Sequence, residues 1–320
     1  MKALFTRGRA ARIAAVTGAL SLTLSVAACG AGSNNNPLQG GGQSSASSAP
    51  ADTVVIGSAN FPESQIIAEI YAGAINASGA KASTKPNIGS REVYIKALTE
   101  GSIDVVPDYS GNLLTYFDKS AAAVSADDIA KALPGALPDG LTALEASKAE
   151  DKDAMVVTKA TAEKYSLKSI EDMAKVCDQL TIGGPPEFQE RAYGLPGLKS
   201  KYNCTPKAFE PYSDGGGPVT QKALLEDKVQ VADIFTTTPA IKDNDLVVLE
   251  DPKNNFIAQQ VLPVVKDGKL SSQATDALNK VSAQLTTDDL INLNRTVSGE
   301  SKTSPKDAAA QWLKEKGIAQ

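Results

Sequence analysis

The sequence predicts an α/β protein of two lobes joined by two chain crossings, and three observations carry that prediction. Short β-branched runs, such as residues 53–58, alternate with stretches whose apolar residues recur every three or four positions. A second set of the same kind opens after residue 158, with Ser169 and Asp172 spaced as a helix-capping box and a strand around 180–184. The last third returns to helices that pack back on the first set, which places crossings near Thr158 and near 255–261. Two crossings form a hinge, and hinged lobes close on a ligand.

Element by element, residues 53–58 form a first strand, followed by a helix that opens at Pro62 and Glu63 and carries Ile66, Ile67, Ile70, Tyr71, Ala74 and Ile75. A second strand is expected over 81–88, then a helix capped by Ser90 and stopped by Gly101. Residues 103–106 make a third strand that breaks at Pro107 and turns into a helix near Ser110. Three strand ends thus meet three helix starts, and parallel neighbouring strands would point those loops into one cleft. Beyond a helix over 125–133, strands are expected at 141–144, 155–158, 229–235 and 246–249, and helices at 219–227, 271–284, 287–294 and from Pro305 onward.

The N-terminus bears on the compartment. Lys2, Arg7, Arg9 and Arg12 precede an uncharged stretch over 13–28 that ends in small residues before Cys29, which reads as a secretory signal. The site resembles a bacterial lipoprotein signal, cleaved before Cys29 with a lipid on its sulfur; a plain signal peptide or a retained anchor helix are the other readings. From Gly30 to residue 51 the chain is almost entirely Gly, Ser, Asn, Ala, Pro and Gln with almost no large apolar side chain, so 29–51 reads as a flexible tether. The division expected is signal 1–28, tether 29–51, first lobe 52–157, second lobe 158–255 and a return to the first lobe over 256–320.

Losing the four basic residues of the signal takes the formal charge from −5 to −9, which argues against a nucleic-acid surface. Histidine is absent, so the commonest general base and transition-metal ligand are missing. Neither a phosphate-binding glycine loop, a dinucleotide fingerprint nor a Gly-x-Ser-x-Gly elbow is present. No cofactor, metal or catalytic residue is expected. Cys177 and Cys204 are a candidate disulfide in an oxidising compartment, with two separately buried thiols the other reading. The loops carry residues of recognition type: Asn60, Phe61, Ser90, Asp108, Tyr109, Asn112, Asp153, Glu187, Phe188, Arg191, Phe235 and the polar turn at Thr236. Each alone is more often structural, whereas together they fit a binding cleft.

These residues carry a resemblance. The run 56–61 with Glu63, Gly89 to Glu92 ahead of a helix, Gly101 to Asp104 leading to Asp108 to Gly111, and Glu187, Phe188, Glu190, Arg191 with 194–198 and 229–233 are similar to the substrate-binding lipoproteins of osmoprotectant ABC importers. The resemblance covers nearly all of 52–317 and implies a two-lobed, periplasmic-binding-protein-like fold of type II with a two-segment hinge. It also implies docking on a permease with a cytoplasmic ATPase, a monomer, and an aromatic cage for the quaternary ammonium of glycine betaine, choline or a related solute. Tyr109 matches one cage tyrosine, Phe235 stands near another aromatic position, and Arg191 matches an arginine that holds a ligand carboxylate. The chain departs from that pattern at Ala59, Asn112, Asp153 and Gln221, which leaves a cage of two rings and an acid. Such a cage suits a cation that donates hydrogen bonds, or a different solute class such as a polyol-like or phenolic compound. A secreted α/β hydrolase and a structural envelope lipoprotein are the remaining alternatives.

Overall fold

The computed structural model describes residues 52–298 and 303–320. The signal, Cys29 and the whole of the tether lie outside them. The first part of the chain runs β1 (Thr53–Ala59), α1 (Pro62–Ala77), β2 (Lys81–Gly89), α2 (Arg91–Glu100), β3 (Val105–Tyr109), α3 (Ser110–Phe117), α4 (Ala126–Ala136) and β4 (Leu141–Ala143). A second series follows: β5 (Met155–Val157), α5 (Lys159–Tyr165), α6 (Ile170–Ala174), β6 (Thr181–Gly184), α7 (Leu195–Tyr202), β7 (Ala208–Pro211), α8 (Pro218–Leu225), β8 (Val231–Asp233), α9 (Ala240–Asp243) and β9 (Val247–Val248). The chain ends with β10 (Val261–Lys266), α10 (Ser272–Gln284), α11 (Thr287–Ser298) and α12 (Pro305–Glu315).

Two five-stranded sheets result, in the orders β2-β1-β3-β10-β4 and β7-β6-β8-β5-β9. β1 is parallel to β2 and to β3, so the three strand ends after Ala59, Gly89 and Tyr109 share one edge of the first sheet. The strand β3 is buried at all five positions, as a strand covered on both faces requires. On one face α1 packs with α10, α11 and α12 around Ile66, Ile67, Ile70, Ile75, Leu278 and Trp312. Burying each such aliphatic side chain stabilises the fold by roughly 1.5–3 kcal/mol relative to leaving it exposed. The opposite face is filled by Leu98, Ile103, Leu113, Leu114 and Ile129 from α2, α3, α4 and the loop before β3.

Several elements differ from the sequence reading. β3 does not break at Pro107 but continues through it to Tyr109. Pro107 stands opposite Pro263 on the antiparallel β10, and Pro263 turns its carbonyl toward β4, where Leu144 donates to it at 2.9 Å. β1 pairs with β3 only at Ile56 and Val105, so Pro107 forfeits no ladder bond. The strands β7 and β10 have no counterpart in that reading, while β8 and β9 are shorter than expected. Finally, β5 belongs to the second sheet, so the first crossing precedes Met155 instead of lying near Thr158.

The two crossings lie side by side. Glu150 bridges Gln260 in antiparallel fashion, Asp151 N donates to the Gln259 carbonyl at 3.1 Å, and Val261 N donates to the Ala149 carbonyl at 3.0 Å. In the second sheet's surroundings, Cys177 and Cys204 form a disulfide with Cα atoms 5.5 Å apart. The Ser169–Asp172 capping box opens α6.

Candidate solute-binding site

A cavity of about 100 Å³ lies between the ends of the two sheets, several water-sized volumes and on the scale of a small solute. The first sheet contributes Asn60 and Phe61 after β1, Ser90 after β2, Tyr109 at the end of β3 and Asn112 in α3. Asp151 and Asp153 enter from the first crossing, Glu187, Arg191 and Tyr193 from the stretch after β6, and Phe235 from the end of β8. One mouth opens past Ser90 and Arg191 into a cleft of about 580 Å³. The other, past Phe61 and Phe235, opens into one of about 350 Å³.

Aromatic faces dominate the lining. Phe61 packs against Tyr109 with ring centroids 6.1 Å apart and against Phe235 at 5.4 Å, edge to face. A Cβ placed on Gly215 would press on Cβ of Phe61, so the second sheet's loop sits directly on that ring. Tyr94 and Tyr193 complete five rings around the cavity.

Each ring and acid is held by a second group. The Tyr109 hydroxyl donates to Glu63 Oε1 at 2.7 Å, and Glu63 Oε2 accepts from Thr237 Oγ1 and from Asn294 Nδ2, both at 2.6 Å. Burial, then the Glu63 charge, pushes the Tyr109 phenol well above its ordinary range, so it remains a donor. Asp151 accepts from the Thr237 backbone N–H at 3.0 Å, and burial followed by the nearby Glu63 charge raises its pKa well above the carboxylate range.

Asp153 accepts from Asn112 Nδ2 at 2.8 Å, and Gln259 of the second crossing fixes Asn112 through its backbone N–H at 2.9 Å and its side-chain oxygen at 2.6 Å. Burial raises Asp153 despite that bond and despite Arg191 and Arg91.

The cationic side chains are largely committed. Arg91 grips the fully buried Asp108, with Nη2 at 2.7 Å from Oδ1, and Tyr94 donates to the same carboxylate at 2.9 Å. Arg191 donates to the Tyr193 hydroxyl at 2.8 Å and reaches across the mouth to Glu92 at 3.3 Å. With Asp108 neutralising Arg91, Asp151 and Asp153 are the acids that face the cavity without an ion-pair partner among the described residues, and burial draws both toward the protonated form. A cation arriving beside them favours their ionised forms, and the ring faces add attraction for a diffuse charge.

Known proteins resemble this chain closely enough to place it. Residues 52–315 match the family described as the substrate binding domain of ABC-type glycine betaine transport systems. The chain belongs to this family. It is 27% identical over 281 residues to the glycine betaine-binding protein YehZ of Escherichia coli K12, covering 83% of this chain and 92% of that one. To the carnitine transport binding protein OpuCC of Listeria monocytogenes it is 26% identical over 273 residues, covering 82% and 86%. A crystal structure of a glycine betaine/carnitine/choline ABC transporter protein superposes with a TM-score of 0.66 at 26% identity, covering 83% of this chain and 99% of that one.

Within this member of the family, Asn60, Phe61, Ser90, Tyr109, Asn112, Asp153, Arg191 and Phe235 are brought together in one cavity. Asp108 does not line it. Strand alternation sends Pro107 and Tyr109 to the cavity and Asp108 away, toward Arg91. Thr236 lies behind the cavity, where its hydroxyl reaches Asp151 at 3.3 Å. Phe188 is wholly buried among Tyr193, Phe209 and Phe256. Gln221 faces the outer cleft and donates to the Gly216 carbonyl at 2.9 Å. The two-ring cage is corrected to five rings by Phe61, already among the recognition residues, and by Tyr94 and Tyr193; sequence reasoning gave no site role to these two tyrosines, nor to Arg91, Glu63 and Asp151. Helical spacing held the missing signal for α2, since Arg91 and Tyr94 are three apart in its first turn and face the same way.

Ser90 occupies the N-cap of α2, yet its hydroxyl donates to Glu92 at 2.6 Å and makes no cap bond. Among the described residues, no group of three or more Cys, Asp or Glu is arranged to hold a metal ion. Nor is any described helix long and apolar enough to cross a membrane.

Proposed function

We propose that this protein captures a quaternary ammonium compatible solute, such as glycine betaine, choline or carnitine, and hands it to an ABC permease driven by a cytoplasmic ATPase. The observation that carries this reading is the five-ring cavity, lined also by Asp151 and Asp153, two acids without an ion-pair partner among the described residues. A methylated ammonium offers no hydrogen-bond donor and spreads its charge, so ring faces hold it better than a single carboxylate does. Arg191, at the mouth, is the group suited to a solute carboxylate, releasing Glu92 as it turns inward.

In the same reading the protein acts outside the cytoplasm as a monomer, anchored by a lipid on Cys29 through the tether, and catalyses nothing. The two sheets are the lobes that close on the solute, hinged where the crossings pair at Glu150 and Gln260.

Thermal unfolding of the soluble domain, residues 52–320, tests the assignment. Glycine betaine, choline or carnitine is expected to raise the midpoint in a concentration-dependent way, because a ligand that binds only the folded state stabilises by mass action. A shift with a polyol or a phenolic compound and none with any methylated amine would move the site to another solute class.

A further inference from the structure

Asp233 closes β8 in the middle of the second sheet, with Gly184 of β6 beside it and β5 on its other side. It is fully buried, and neither carboxyl oxygen accepts a well-formed hydrogen bond among the described residues. Its neighbour is the carboxyl of Asp153, which precedes β5 and lines the solute cavity. The pairing of Met155 with Asp233 sets the two acids at the same end of adjacent strands.

An isolated carboxylate in such a place is strongly disfavoured by its lost hydration, and two adjacent carboxyl groups do not both ionise readily. The economical state is one shared proton, with the Asp233 hydroxyl donating to the Asp153 carboxylate. Burial and then the Asp153 charge push Asp233 well above the carboxylate range, and Arg191 and the Ala154 N–H oppose this only in part.

We propose that Asp233, hidden behind Asp153, is a specificity-determining residue that makes the cavity exchange a proton for the positive charge of its solute. The inference rests on the cationic-solute reading above. When an ammonium group settles beside Asp153, its charge favours the ionised pair; the O–H bond of Asp233 breaks and the proton passes to solvent. A neutral solute brings no charge and leaves the proton in place. Selection for cations over neutral solutes of similar size thus weakens as the medium becomes acidic.

The other charged groups around the pair do not supply this behaviour. Arg91 is held by Asp108 at 2.7 Å, Arg191 by Tyr193 and Glu92, and Glu187 lies at the cavity rim. Asp151 is the other acid raised by burial, and it is the competitor to be separated.

Calorimetric titration with choline, in paired buffers of different ionisation heat across a pH series, reads the protons released. The wild-type protein is expected to release up to one proton per choline. Its affinity should fall by as much as tenfold per pH unit below the pair's raised pKa and level off above it. In Asp233→Asn the amide donates to Asp153 in place of the shared proton, so release should drop to near zero with choline binding retained.

Release that persists in that variant would assign the proton to Asp151 and overturn the role of Asp233. Wild-type binding without release and without pH dependence would overturn the inference while leaving the solute reading intact. No binding of choline, glycine betaine or carnitine at any pH would remove the solute reading itself. Infrared difference spectra give a second reading: a protonated-carboxyl band lost on adding choline to the wild type is expected to be missing from the difference spectrum of Asp233→Asn, and its persistence there would assign the proton to Asp151.

Discussion

Tyr109 shows how one side chain joins the chemistry of the site to the stability of the fold. Its ring lines the cavity beside Phe61, and its hydroxyl donates to Glu63, which also takes hydrogen bonds from Thr237 and Asn294. Tyr109→Ala is expected to weaken solute binding about five- to thirtyfold, since a desolvated cation–π partner is worth about 1–2 kcal/mol. Tyr109→Phe keeps the ring and should bind within a few-fold of wild type. It should nevertheless lose about 1 kcal/mol or more of stability, because the buried Glu63 is left short of a donor. Calorimetric titration and denaturant unfolding of both variants separate the two effects, and equal affinity in Tyr109→Ala would make the tyrosine a packing residue only. Polar and aromatic residues at strand ends were legible because their type and place in the sequence both point to a cleft. Asp108 was misread because its neighbours Pro107 and Tyr109 do reach the cavity, and only the two-residue period of the strand turns it away.

Elements were legible where their stabilising contacts are local. Capping at Ser169, the left-handed Gly101 that stops α2 and the Pro-led start of α12 all rest on residues a few positions apart. β10 was not legible, because a strand inserted antiparallel beside β3 depends on pairing across more than 150 residues. The disulfide is an element-scale constraint of the same non-local kind. Cys177 sits in a short 3₁₀ turn and Cys204 just past α7, 27 positions apart, and the bridged segment carries Glu187, Arg191 and Tyr193 into the cavity. By loop-closure entropy, opening it should cost about 3–4 kcal/mol. Reduction is therefore expected to lower the unfolding midpoint and to weaken solute binding together, as the segment loosens. A midpoint that falls with unchanged affinity would show that β6 and the packing of Phe188 hold those residues without the bond.

At the scale of the whole molecule, the ligand-free protein stores an electrostatic cost at the place where its lobes meet. Asp151, Asp153 and Asp233 are all buried there, and all have pKa values raised chiefly by burial. A carboxyl group raised in the folded state binds protons that the unfolded chain has already released. Its contribution to stability is fully present below the ordinary carboxylate pKa and is lost as pH rises through the raised value. Other acids act in the opposite sense: Asp172 is lowered to about 2, mainly by its bond to Lys175, and Asp289 is also lowered, with bonds from Lys316 and Thr286 outweighing its burial. Their stability is lost only as pH falls from the ordinary carboxylate range downward. The empty protein should therefore grow more stable as pH falls from the raised pKa values toward that range, and less stable below it. For each proton taken up the gain is at most about 1.4 kcal/mol per pH unit. Asp233→Asn removes one raised group, so its unfolding curve should be flatter over the same interval and lie above wild type on the alkaline side. Unfolding midpoints measured across the pH series without solute decide the matter, and identical slopes for the two proteins would mean that Asp233 is ionised and solvated in a way its burial does not suggest.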